Sequence, residues 1–239
     1  MNRLGIISAL PAEAKCLYRK KLKVGLPVEI QKGIYLCLSG IGHEPALSAS
    51  KKLLALKVDG LVSWGVAGAI DESLNSGELI LPETIISNDK RYLISSDWLN
   101  RVTNFFQQST YPSASGNIAS SKEICASVTD KELLLKKTGA LAVDMESAAI
   151  AEIATAHGLD FLVIRAISDK ANTAIPEAVL NHTDNLGQPR ILKFMLSCLL
   201  KPAQIKEIFV LAAGYKMGLK SLSGLAPDLK NKHFFYSDG

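Results

Sequence analysis

The chain has 239 residues, 48% apolar and 21% charged, proportions of a globular protein that exclude a disordered or collagen-like chain. Lys and Arg number 27 against 23 Asp and Glu, a net charge of +4 with no dense basic block, so composition gives no case for nucleic-acid binding. The four cysteines, Cys16, Cys37, Cys125 and Cys198, form no C-x-x-C pair and fit no zinc spacing, which points to a reducing compartment and no structural metal. The first apolar run meets Pro11 and Glu13 too soon for a signal peptide, and no run is long enough to cross a bilayer. The expected location is the cytoplasm.

Taken in order, residues 4–10 read as a buried strand stopped by Pro11, and 12–19 as the start of a helix. Residues 33–39 read as a strand running into Gly40-Ile41-Gly42, followed by a helix over 45–56 with Pro45 in its first turn. A strand over 60–64 ends in the small-residue segment Gly65-Val66-Ala67-Gly68, expected to be a turn. A strand over 78–87 carries Pro82 at an edge or bulge. Residues 88–117 are polar and carry only turn signals, at Tyr111-Pro112 and Ser115-Gly116-Asn117. A short strand over 141–143, a helix over 146–157 and a strand over 161–167 follow, and 190–222 reads as helical with a break at Pro202.

This alternation predicts an α/β fold, a three-layer αβα sandwich around a central sheet. The short connection between 60–64 and 78–87 suggests that the sheet is mixed. The expected division is a catalytic domain over 1–185, a helical extension over 186–225 and a tail over 226–239.

Ligands of such sheets bind beyond the carboxyl ends of the strands, so the residues just past each strand are the candidates. Glu13, with Lys15 two residues on, follows the first strand; the carboxylate suits a water and the lysine a phosphate. Gly40-Ile41-Gly42 opens a helix, where free N–H groups attract an anion, although it lacks the rest of a dinucleotide fingerprint. Gly65, Val66, Ala67 and Gly68 offer backbone on which something flat or anionic can lie. Asp144-Met145-Glu146 puts two carboxylates at a helix start, suited either to capping or to gripping hydroxyl groups. Arg165 interrupts a strand that is otherwise apolar, and a buried arginine must find a carboxylate or line a site. Asp169 sits at that strand's carboxyl end, the usual place for catalysis.

In this order the segments resemble the nucleoside phosphorylase and nucleosidase superfamily, over residues 4–180. Gly5-Ile6-Ile7-Ser8-Ala9-Leu10-Pro11-Ala12-Glu13, Ser39-Gly40-Ile41-Gly42, Trp64-Gly65-Val66-Ala67-Gly68, Val143-Asp144-Met145-Glu146-Ser147 and Arg165-Ala166-Ile167-Ser168-Asp169 carry the likeness. It is closest to the methylthioadenosine/S-adenosylhomocysteine nucleosidases and their phosphorylase relatives. Ala9 to Lys15, Trp64 to Ala69, Ala142 to Ser147 and the tail Gly187-Gln188-Pro189-Arg190 are similar to the hopanoid-associated phosphorylase group. That resemblance implies cleavage of the N-glycosidic bond of a 5′-substituted adenine nucleoside, with phosphorolysis favoured and hydrolysis or non-catalytic nucleoside binding as alternatives.

The resemblance also implies roles. Asp169 would protonate the purine, Glu146 and Met145 would hold the ribose, and Arg165 and Glu13 would hold the nucleophile. Gly40, Ile41, Gly42 and Lys15 would bind phosphate. It implies no metal or organic cofactor beyond phosphate as co-substrate, and a homo-oligomer. The family aromatic that stacks on the base is missing from the corresponding stretch, roughly 119–124. Lysines alternating with dense apolar residues over 191–225 suggest helices packed on the core or a peripheral, salt-sensitive contact with anionic lipid.

Overall fold

The computed structural model describes residues 3–182, 186 and 204–229. Among these, β1 (Leu4–Ser8), β2 (Val28–Gln31), β3 (Ile34–Leu38), β4 (Gly60–Ala69), β5 (Leu79–Ser87), β6 (Lys90–Leu93), β7 (Ser113–Ser120), β8 (Ala142–Asp144) and β9 (Asp160–Asp169) form a single sheet. The helices are α1 (Pro11–Leu17), α2 (His43–Ala55), α3 (Ser96–Gln108), α4 (Val128–Thr138), α5 (Ser147–Ala156), α6 (Glu177–His182) and α7 (Gln204–Leu229).

β4 and β9 form the centre because their runs are apolar on both faces, the pattern of a strand covered on both sides. They pair in parallel from Gly60↔Asp160 to Gly68↔Asp169. Successive β4 side chains point to opposite faces. Ser63 meets Ser147 of α5 at 3.0 Å, whereas the Trp64 indole donates to the Glu13 carbonyl of α1 at 3.3 Å. Helices therefore cover both faces, as the αβα expectation requires.

The sheet is mixed, for a reason other than the expected one. The strands over 60–69 and 79–87 do not pair; β9 lies between them, parallel to β4 and antiparallel to β5. β4 pairs at its far end with β8, β8 with β7, and β7 with β5. The pairings thus close a ring, β4–β8–β7–β5–β9, and the carboxyl ends of β4, β8 and β9 meet at its mouth.

Three expectations are corrected. Residues 65–68 are strand, not turn: the glycines of β4 make room for side chains rather than for a reversal of the chain. Ser115-Gly116-Asn117 also lies in a strand, where β7 slips register against β5 at Pro82/Thr84. The polar stretch 88–117 contains β6, the start of β7 and α3, which buries Trp98, Val102 and Phe106 at successive helical turns. β2 and α4 were not anticipated.

α7 crosses the expected boundary at 225 and continues to Leu229, with Leu222, Leu225, Ala226 and Leu229 buried. Its Lys206, Lys216 and Lys220 face outward. Residues 190–203, with the break expected at Pro202, and 230–239 lie outside the described residues. No helix of the described residues is long and apolar enough to cross a membrane.

α7 lies directly on the end of β9. A Cβ added at Gly214 would collide with the Ser168 carbonyl, and one at Gly218 would come within 3.2 Å of the Ile167 carbonyl. The Ser221 hydroxyl donates to the Gly77 carbonyl at 2.6 Å, and the Tyr111 hydroxyl donates to the Gly224 carbonyl at 2.8 Å. Gly214→Ala is expected to lift α7 off β9 and to cost about 1–3 kcal/mol. Urea unfolding at constant m-value would show this as a lower midpoint.

Candidate active site

The mouth of the ring opens into a cavity of about 430 Å³. Strand ends and α1 supply its polar wall: Glu13, Val66, Ala67, Gly68, Asp144, Met145, Glu146, Ser168 and Asp169. Glu123, Ile124 and Cys125, from the loop after β7, form one end. Ile175, Val179 and Leu180 around α6, with Ile208, Leu211 and Tyr215 of α7, form an apolar wall facing the strands.

Glu13 is 1% exposed. Its Oε2 accepts from the Leu10 N–H at 2.9 Å and the Ser8 hydroxyl at 3.1 Å, and its Oε1 accepts from the Val66 N–H at 2.9 Å. Burial raises its pKa, with Arg165 and these hydrogen bonds offsetting part of the rise. Tyr215 lines the same cavity, and burial, then the nearby charge of Glu13, raises the phenol as well.

Behind Glu13 lies Arg165, also 1% exposed. Its Nη2 meets Asp144 Oδ2 at 2.6 Å, Ser63 Oγ at 2.8 Å and Glu146 Oε2 at 3.3 Å. Burial works against this charge, but Asp144, Glu146 and Glu13 outweigh it and raise the guanidinium above its ordinary value. Gly65 sits beside Arg165 in the β4–β9 register. A Cβ there would lie 2.5 Å from Arg165 Nη1 and 2.6 Å from Glu13 Oε1, so glycine is what lets the two side chains approach each other.

Asp144 ends β8 and starts α5: it accepts from the Ser147 N–H at 3.3 Å and from the Ser147 hydroxyl. Its capping role and its charge pairing are thus both present. Glu146 reaches the other way, and its Oε1 accepts from the Gly42 N–H at 2.8 Å. Burial, opposed by Arg165 and reinforced by Asp144, pushes its pKa up to about 7.

At the remaining end, Asp169 Oδ1 accepts from the Ser168 hydroxyl at 2.6 Å, and Oδ2 pairs with Lys131 Nζ at 2.5 Å. Gly68 leaves room for this carboxylate; a Cβ there would stand 3.0 Å from Oδ2.

The structure therefore gathers Glu13, Val66, Ala67, Gly68, Met145, Glu146 and Asp169 at one cavity, with Ile41 at its edge. Arg165 and Gly65 stand behind the wall rather than in it. Lys15 is exposed on α1, away from the cavity. The turn at Gly40, Ile41 and Gly42 does meet an anion, but the anion is the protein's own Glu146. Among the described residues no three His, Cys, Asp or Glu side chains are grouped to hold a metal.

Several contributors escaped the sequence reading. Ser8, Ser63 and Ser147 are small polar residues inside apolar segments, a signal of buried partners. The Gly214-x-x-x-Gly218 spacing marks the face of α7 that meets backbone closely. Lys131 carries no local signal.

The fold is shared with solved nucleosidase structures. The methylthioadenosine/S-adenosylhomocysteine nucleosidase of Helicobacter pylori, solved with butyl-thio-DADMe-Immucillin-A, superposes with a TM-score of 0.70 over 95% of this chain and 99% of that one, at 19% identity. The futalosine hydrolase of the same organism superposes at 0.69, again at 19% identity, over 95% and 98%. Residues 3–190 match the model of the phosphorylase superfamily, and the chain belongs to that family. A nucleosidase of the first kind from Staphylococcus aureus is 28% identical over 198 residues, 71% of this chain and 87% of its own.

Glu146 gives a pH dependence with a definite sign. Its folded value of about 7 lies above the ordinary 4.5, so the folded chain holds the proton more tightly than the unfolded one. Its stabilising contribution is present below about 4.5 and is lost as pH rises through about 7. Glu146→Gln cannot ionise. Thermal unfolding from about pH 5 to about pH 8 should therefore show the Tm gap moving in the variant's favour as pH rises.

Proposed function

We propose that the protein hydrolyses the N-glycosidic bond of a purine nucleoside whose 5′ substituent is apolar. The observation that carries the choice of water over phosphate is the charge of the wall. Glu13, Glu123, Asp144, Glu146 and Asp169 line the cavity, and among the described residues no Lys, Arg or His does. A phosphate dianion needs cationic partners and free N–H groups. Arg165 is already engaged by carboxylates, and the Gly42 N–H by Glu146. This reading replaces the phosphorolysis that the subgroup resemblance implies, and the curated and structural relatives named as nucleosidases or hydrolases support it.

The residues divide the work. Breaking the bond builds positive charge on the ribose and negative charge on the purine, as in glycoside hydrolysis. Glu13 holds the attacking water and takes its proton; burial raises the proton affinity of its carboxylate, which suits a base. Glu146 accepts from the ribose hydroxyls, and Met145 packs under the sugar. Asp169 delivers a proton to purine N7, while Ile124 of the end wall packs against the base in place of an aromatic ring. Arg165 is a positioning residue, because carboxylates separate it from the cavity.

The apolar wall of α6 and α7 receives the 5′ group. Exposed Ile205, Phe209 and Val210 on the adjoining turns of α7 support an apolar continuation of that group.

The direct test is adenine release from 5′-methylthioadenosine in phosphate-free buffer and again with added phosphate. Equal rates and a free reducing sugar are expected; release that requires phosphate would overturn the choice of nucleophile. Asp169→Asn is expected to lower kcat about 10²–10⁴-fold with KM little changed, since the acid acts on charge that develops in the transition state.

A further inference from the structure

Lys131 is the only fully buried residue of α4, at 1% exposure, more deeply placed than Leu134 and Leu135, which are partly buried against a small apolar cluster. An ammonium is costly to bury unless every proton finds a partner. Here each does: Nζ donates to Asp169 Oδ2 at 2.5 Å, to the Lys170 carbonyl at 2.8 Å and to the Thr173 carbonyl at 2.9 Å. Nζ does not reach the cavity; Asp169 stands between the two. The other oxygen of Asp169 is met by the Ser168 hydroxyl, whose second contact is the Ala67 carbonyl at 3.1 Å. The remaining titratable groups on this end wall are Glu123 and Cys125.

A carboxylate in an ion pair has no proton of its own to give. We infer that Lys131 is the proton source for the leaving purine and acts through Asp169 as a positioning residue. This rests on the glycosidic reading above. Nζ transfers a proton to Asp169 Oδ2, and the carboxylic acid so formed gives its proton to N7 as the C–N electron pair moves onto the purine. The products are the free purine, the Asp169 carboxylate and a neutral amine. Two protons remain on that amine, one for each of the Lys170 and Thr173 carbonyls. Water, having lost a proton to Glu13, becomes the new hydroxyl of the sugar. Solvent returns a proton to Nζ and takes one from Glu13, so the cycle closes without an added reactant.

The test compares two leaving groups in one preparation, so that any loss of folded protein cancels. Wild type and Lys131→Met are assayed with 5′-methylthioadenosine and with the para-nitrophenyl riboside bearing the same 5′ group, whose nitrophenolate departs without a proton. For the variant, kcat for adenine release is expected to fall about 10²–10⁴-fold, with KM and the rate of nitrophenol release changed by no more than a few-fold. Equal losses on both substrates would overturn the inference and leave Lys131 a purely structural ion pair; so would a variant as fast as wild type on both. Wild type inactive on both substrates would instead overturn the glycosidic reading and, with it, this inference.

Discussion

The guanidinium of Arg165 is the interaction on which the centre of this molecule depends. It draws Asp144 and Glu146, from the end of β8 and the start of α5, onto the same nitrogen that contacts Ser63 of β4. Glu13 of α1 joins it across the space that Gly65 leaves open. One cation among three buried carboxylates does not offset their burial, which raises both Glu13 and Glu146, with the charges of Asp144 and Glu13 adding to the rise at Glu146. Each carboxylate belongs to a different tie between segments. Loss of the arginine would therefore strand several charges in the interior rather than one.

The ring of strand pairings explains why polar groups crowd one side of the cavity. Because β4 runs on past β1 to pair with β8, Gly68 lies between Asp169 and the Val143-Asp144 end of β8. Strand ends, where ladder bonding stops, present carboxylates and free backbone. Helical faces, whose backbone is already satisfied, present aliphatic side chains. The two walls thus differ in chemistry because they are built from different kinds of secondary structure.

Much of this was legible in the chain itself. Arg165 inside an apolar strand announced a buried partner, and the carboxylates at strand ends announced a site. Other features depend on tertiary contacts. Gly65 and Gly68 read as a turn because the composition of a segment does not tell a glycine that bends backbone from one that makes room for a neighbour's side chain. The anion expected at Gly40, Ile41 and Gly42 exists, but it comes from a residue 104 positions away. Lys131 resembles any outward lysine of an amphipathic helix, and only the fold of residues 169–173 over it creates its partners. The break between 60–69 and 79–87 was invisible because β9, synthesised much later, inserts between them.

The position of α7 has a consequence for the order in which the protein takes shape during synthesis. Synthesis runs from the N-terminus, so the segments before α7 leave the ribosome before that helix is made. All nine strands and the Arg165 cluster are complete by Asp169, whereas the helix that lies against β9 and carries Ile208, Leu211 and Tyr215 begins at Gln204. A nascent chain can therefore hold its carboxylates in place while the cleft is still open to water. Enclosure of the cavity is a late event, made by the last described helix settling its glycines onto backbone already in position.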